Sequence, residues 1–445
     1  MKRILAAALL VTLGLCIPGL QTSASSLGDE TIAIENARIV TGTGSVIDRG
    51  TVVIVNGKIA AVGATVDVPS GAKRIDATGL SVYPGFIDSA TTLGIIEVGS
   101  ISATTDVSEI GDYNPQLFAF DAYNPASELI PAARVTGVTS AVTLPDGGVL
   151  PGYAMIEDLN GWTVDQAFLK KSVGLAFSFP SGVGGQSFDF ATFSLRTTTD
   201  ADARKTRDKK LDEIKAFFDD ARAYQKAVAA GEKDPKLPLT DTDRKLAALQ
   251  PVLAGEQPLI IQTNDLRDVK KAVEFCEQQK VRMVLRSNGK FGTSDLAGVG
   301  SYLAGKKIAV IVGPMYTVPD KEDDRYDLPQ ELPAALAKAG VKFAFASEDS
   351  AQVCDLPFMA AMAVAYGGLS KDDAVRALTV WPAEIWGVSD RVGSIEVGKF
   401  ANLFVATGDP LDIRTEVKQM FIEGRSVSLE SRRTRFYEEY KNRTP

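Results

Sequence analysis

A series of short, continuously apolar runs, each leading into a polar loop and then a helical pattern, limits what this chain can fold into more than any other feature. The runs occupy residues 82–87, 136–144, 174–179, 258–263, 281–286, 307–314 and 342–346. A strand that is apolar along its whole length is buried on both faces, as in a parallel sheet covered by helices. Strands of this kind alternating with helices predict an α/β architecture, and their number predicts a closed barrel rather than an open sheet. One segment departs from the rhythm. Residues 202–230 are heavily charged but place Leu211, Ile214, Phe217, Phe218, Ala221, Tyr224 and Val228 on one helical face, with Gly231 as the stop. Its charges read as a solvated surface.

The two ends of the chain have a different texture. Residues 31–68 alternate short apolar runs with Gly and Asn, and Asn56-Gly57 between two such runs is a strong hairpin signal. Near the other end come Leu378-Thr-Val-Trp-Pro-Ala-Glu-Ile-Trp-Gly387 and Arg391-Val-Gly-Ser-Ile-Glu-Val-Gly-Lys-Phe-Ala-Asn-Leu-Phe-Val405. Gly408-Asp-Pro-Leu411 and Phe421-Ile-Glu-Gly-Arg425 follow them.

These terminal blocks, together with Tyr83-Pro-Gly-Phe-Ile-Asp-Ser-Ala-Thr-Thr-Leu-Gly94, resemble the amidohydrolase superfamily, in its imidazolonepropionase-like and Xaa-Pro-dipeptidase-like branch. That family reads Pro-Gly-hydrophobic-Ile-Asp and then His-x-His on its first barrel strand, and Lys-x-Ala-Asp-Leu near its end, where this chain has Asn402. The resemblance implies a distorted (β/α)8 TIM-like barrel with a small β-sandwich formed from both chain ends. The expected division is a β-sandwich part at 30–82, a barrel at 83–390, a second sandwich part at 391–430 and a C-terminal helix or tail at 431–445. Gly-rich residues 148–162 resemble the family's loop over the barrel mouth.

The resemblance also implies where chemistry would sit: at the C-terminal ends of the barrel strands. Ala90 and Thr92 stand where the two histidines of the first strand belong. Ala176 stands at the position of the bridging lysine, Gln262 (followed by Asn264) and Ser287 at the further histidines, and Glu348, or with a one-residue slip Asp349, at the metal-binding aspartate. The chain contains no histidine at all, so no register of alignment restores an imidazole ligand or a Ser-His-Asp triad. The family's norm of Zn or another divalent metal is therefore not expected here, and no cofactor is. Asp88, Gln262, Asn264, Glu348 and Asp349 offer oxygen alone, which would suit Ca or Mg rather than Zn. Lys290 is a conceivable amine nucleophile, read more simply as a solvated loop lysine. Glu348 and Asp349 are the candidate catalytic groups, and one of them at most is expected to enter the pocket.

The expectation is an exported amidohydrolase-like protein without the metal centre, a non-catalytic homologue binding a small amide or peptide-like ligand or an active relative. The alternative is a hydrolase of carbon–nitrogen bonds with an atypical site. Export rests on residues 1–24, with Lys2 and Arg3, an apolar run and Thr22-Ser23-Ala24 before the expected cut. A lipid anchor on Cys16 is disfavoured by the bulk of Leu15. A secreted or periplasmic protein could oxidise Cys276 and Cys354, but their apolar surroundings predict two buried free thiols. The formal charge of -8, without long basic runs, argues against nucleic acid or an anionic membrane as the main partner. A homo-oligomer remains compatible with the sequence.

Overall fold

The computed structural model describes residues 30–189, 193–234, 236–237, 241–287, 291, 293–318 and 325–443. Residues 1–24, where an export signal is expected, and Lys290 lie outside them. The chain ends build one sheet. β1 (Ile32–Val40), β2 (Val46–Val55), β3 (Lys58–Gly63), β4 (Lys73–Asp76) and β5 (Ser81–Pro84) come from the N-terminal side. The middle of the chain supplies the barrel strands β6 (Phe86–Thr91), β7 (Val138–Thr143), β8 (Gly152–Asp158) and β9 (Phe168–Ser178), then a hairpin of β10 (Gly185–Asp189) and β11 (Ser194–Thr198). β12 (Leu259–Gln262), β13 (Met283–Ser287), β14 (Ala309–Val312) and β15 (Phe343–Phe345) complete the barrel, and β16 (Leu403–Ala406), β17 (Val417–Ile422) and β18 (Arg425–Val427) return to the first sheet.

The terminal sheet runs β18-β17-β16-β5-β1-β2-β3, with β4 also paired to β1. Its seam is β16 against β5, where Leu403 faces Pro84 and Ala406 faces Ser81. The Asn56-Gly57 signal holds: both residues have positive φ, and they turn β2 into β3. Ile32, Ile34, Val52, Val82, Leu403 and Phe421 share one core, so neither end of the chain can complete this unit alone.

The barrel sheet runs β6-β7-β8-β9-β12-β13-β14-β15. One core cluster draws on every strand of it, with Ile87, Val142, Ile156, Ala176, Ile260, Val284, Ile311 and Ala344 packed together and Trp386 beneath them. The seam between β15 and β6 is bridged just past β15, where Ser347 N donates to Asp88 Oδ1 at 3.1 Å and Glu348 N donates to the Ala90 carbonyl at 2.9 Å. Gly85 admits β6 into this wall. A Cβ there would lie 2.0 Å from Thr139 Oγ1, so the Pro-Gly lead-in is a requirement of close packing against β7.

Three features differ from the sequence reading. Residues 148–162 do not form a mouth loop. Gly152–Asp158 is a fully buried strand, antiparallel to both β7 and β9, so one barrel strand runs against the rest. The long helix spans Asp200–Lys233 and passes through Gly231, since a single glycine costs only about 1 kcal/mol against alanine. Thr199 caps its start by accepting from Asp202 N, and Phe218 packs edge-on against Phe275. The β10–β11 hairpin was not foreseen, because β11 is exposed at every position and prints no alternating pattern. Cys276 and Cys354 are both buried and free, as their apolar setting implied.

Candidate functional site: the barrel mouth

Strand register places the mouth residues in layers. Ala176 pairs with Ile260 and Ser178 with Gln262, while Gln262 pairs with Arg286 and Arg286 with Ile311. Because inward residues alternate with outward ones, Ser178, Gln262 and Arg286 share the layer above Ala176 and Val284. Ala176 therefore sits one layer deeper than Gln262, inside the packed core.

Arg286 dominates this layer. It is 8% exposed and donates through Nε to both carboxylate oxygens of Glu348, at 2.7 and 3.0 Å. Its Nη2 also bonds Glu348, and its Nη1 reaches Gln262 Oε1 at 3.4 Å. Burial works against the guanidinium charge, and the Glu348 carboxylate more than offsets it, so the Arg286 pKa stays raised. Glu348 has φ of 63°, a left-handed backbone that a residue with a Cβ seldom adopts. That conformation is held at one end by the bond from its N–H to Ala90 and at the other by Arg286.

The left-handed turn also separates the two candidate carboxylates. Glu348 turns to Arg286, whereas Asp349 is exposed and accepts from Ala351 N at 2.8 Å to close a local turn. Its carbonyl takes the Thr91 and Ser347 hydroxyls. Gln262, Arg286 and Glu348 are thus brought together. Ser287 and Asn264 form a neighbouring pair, Oγ to Oδ1 at 3.5 Å. Ala90 meets Glu348 only through its backbone, and Thr92 starts a turn whose carbonyl accepts from Ile95 and Ile96.

Three buried carboxylates lie on β6 and β8, and sequence reasoning assigned a place to Asp88 alone. Asp88 accepts from Ala90 N and Ser347 N through Oδ1, while among the described residues its Oδ2 has no partner. Burial pushes its pKa up to about 7, against the lowering effect of its bonds to Ser347 and Ala90. Glu157 is pushed well above the usual carboxylate range by burial, and Asp88 and Asp158 add to the effect. The Thr143 hydroxyl lies 2.7 Å from both Glu157 Oε1 and the Leu93 carbonyl. A hydroxyl has one proton and a carbonyl only accepts, so both bonds form together only when Glu157 is protonated. Asp158 Oδ1 accepts from Ser140 Oγ at 2.6 Å and from Asn402 Nδ2 at 2.7 Å, and burial lifts its pKa to about 7. Asn402 Oδ1 in turn accepts from Glu423 N at 2.7 Å, which ties the barrel to the terminal sheet. An aspartate at 402 would set a second carboxylate against Asp158, whereas Asn402 donates to it. The signal for Glu157 and Asp158 was present as two acids ending the buried run Tyr153-Ala-Met-Ile156. The signal for Arg286 was a charge at the end of an apolar strand.

Residues 267–427 match the model of the amidohydrolase family. No curated protein sequence matches the chain. Among solved structures, an amidohydrolase from Thermotoga maritima MSB8 is 27% identical over 89% of this chain and 99% of its own, with a TM-score of 0.77. A molinate hydrolase is 19% identical over 90% and 95% of the two chains, with a TM-score of 0.55. A prolidase in complex with N-methylphosphonate-L-proline is 16% identical over 89% and 99%, with a TM-score of 0.53. The terminal sheet and the barrel share the fold of the amidohydrolase superfamily, and residues 267–427 carry the match to its family model. The last two neighbours bear on its fold alone.

Proposed function

We propose that this protein is an exported, non-catalytic member of the amidohydrolase superfamily whose barrel mouth binds a small amide or peptide-like ligand. The observation that carries the reading is the Arg286–Glu348 ion pair. The family resemblance implies a metal-binding, proton-accepting carboxylate at Glu348. Here that carboxylate is engaged by a guanidinium, which supplies fixed positive charge and five donors but neither ligates a metal nor accepts a proton. The other positions do not fit a transition metal either. Ala90 and Ala176 have no donor atom, and Gln262 and Asn264 offer neutral amide oxygens. Among the described residues no cluster of three or more His, Cys, Asp or Glu is arranged to hold a metal ion. What the mouth does offer, a neutral guanidinium–carboxylate pair with the carboxamides of Gln262 and Asn264 nearby, suits the amide groups of a short peptide or cyclic amide.

Purified mature protein incubated with zinc chloride and dialysed is expected to retain far less than one equivalent of metal by elemental analysis. It should also show no turnover of a dihydropyrimidine, a hydantoin or an X-Pro dipeptide. The competing reading, a carbon–nitrogen hydrolase with a rebuilt acid–base site, draws on Asp88, whose raised pKa places a proton-exchanging group next to Ser347 and Glu348. Turnover of any of these substrates that disappears in Glu348→Gln would establish that reading instead.

Export is tested separately. Mass spectrometry of the protein recovered from its native host is expected to find Ser25 as the first residue. An intact Met1 would remove the export half of the proposal.

A further inference from the structure

One cavity among the described residues lies away from the mouth. It has a volume of about 490 Å³ and opens at the opposite end of the barrel, below the first residues of β12, β13 and β14. Its walls are apolar, with Val173, Pro258, Val284, Ile308, Ile385 and Trp386 among them. Its rim is cationic, carrying Lys170, Lys280, Arg282, Lys306 and Lys307.

Part of that charge has a structural explanation. Lys280 and Lys307 follow the ends of the helices Leu266–Gln279 and Leu296–Lys306, where basic residues complement the exposed carbonyls. Lys306 is neutralised by Glu277 at 2.6 Å, and Glu384 on the same rim is taken by Lys342 at 2.8 Å. Glu256 also lines the cavity and offsets one positive charge.

Lys170 and Arg282 have no such role. Lys170 lies within β9 and Arg282 just ahead of β13, so neither caps a helix. Among the described residues, Arg282 Nη2 donates to the Glu256 carbonyl alone, at 2.8 Å. Lys170 is half-buried, and among the described residues its ammonium has no ion pair or hydrogen bond. Burial pulls its pKa down, and Arg391 and Arg282 add to the effect. Two further lining residues hold unmet polar atoms. Among the described residues, the indole N–H of Trp386, a residue 2% exposed, and Oε1 of Gln257 are buried without partners. Cations with no ion pair among the described residues and a buried orphan donor around an apolar hollow form an arrangement that an anion would complete.

We propose that this cavity is a second ligand site, taking a small molecule with an apolar body and one carboxylate, sulfonate or phosphate group, whose charge is met by Lys170 and Arg282. It is independent of the mouth and of whether the mouth is catalytic.

The test uses 8-anilinonaphthalene-1-sulfonate as the anionic probe and N-phenyl-1-naphthylamine as its uncharged counterpart, titrated against the full mature chain at low salt. The sulfonate is expected to bind the native protein, to weaken at least tenfold in the Lys170→Met/Arg282→Met variant, and to weaken on addition of salt. The amine is expected to bind both proteins alike and more weakly. Equal affinity of the two probes for the native protein would mean an apolar hollow without anion selectivity, and would overturn the proposal. Sulfonate affinity unchanged in the variant would place the probe elsewhere and overturn it as well. Both substituted residues are at the rim, and an unchanged melting temperature of the variant confirms that the pocket is intact.

Discussion

Glu348→Ala is expected to cost more stability than other single substitutions at the barrel mouth. The change leaves the Arg286 guanidinium buried at 8% exposure with only Gln262 Oε1, at 3.4 Å, as a side-chain acceptor. An unpaired charge in such a place typically costs about 3–5 kcal/mol, because the desolvation of the remaining ion is no longer offset. The left-handed backbone at 348 gives no compensation, since alanine bears the same Cβ. The double variant Arg286→Met/Glu348→Ala removes both ions and fills the layer with an unbranched apolar chain. It is expected to recover most of the loss, as replacing a whole buried pair is often close to neutral. Denaturant melts of the native protein, both single variants and the double variant complete the cycle. A coupling energy below about 0.5 kcal/mol would show that the two residues are independent, and the pair could no longer carry the functional reading.

That cycle concerns a contact the sequence hid, while much of the scaffold around it was legible. The barrel frame could be read because its strands are buried on both faces and print as unbroken apolar runs, as in Pro258-Leu-Ile-Ile-Gln262. The terminal sheet could be read because Asn56-Gly57 has a local conformational cause that needs no tertiary context. β8 was lost for the opposite reason. Its flanking glycines look like loop, and its two terminal acids look solvent-facing until Thr143, Ser140 and Asn402 are seen to satisfy one oxygen of each. The choice between Glu348 and Asp349 was beyond strand alternation, because the chain leaves strand geometry after Phe345 and turns left-handed at 348. Arg286 was passed over for Ser287 because one-residue register is invisible in a fully buried strand, where both faces are apolar-lined. The absence of imidazole needed no register at all, and it limited the chemistry before any fold was known.

The second large effect should appear in how stability depends on pH, read through Asp158. Its folded-state pKa is raised to about 7, chiefly by burial, from an ordinary value of 3.8. Between these values the folded chain holds the proton more tightly than the unfolded chain, so this group's contribution is full below pH 4 and is lost as the pH climbs towards 7. A rise of roughly three pKa units corresponds to about 4 kcal/mol at most. Asp158→Asn removes the ionisation yet keeps an oxygen for Ser140 and Asn402. The new amide nitrogen enters the place of Oδ2, which has no partner, and an unsatisfied donor there costs about 1–3 kcal/mol. The variant is therefore expected to match or fall below the native protein at pH 5 and to exceed it at pH 8, the melting-temperature difference growing by several degrees across the interval. Carboxylates held below their usual range on the surface, such as Asp412, tilt both curves alike and drop out of the difference. A difference that stays constant from pH 5 to pH 8 would mean that Asp158 does not take up its proton on folding. The buried Ser140–Asp158–Asn402 link would then be an ordinary ionised contact and not a neutral one built into the joint between barrel and sheet.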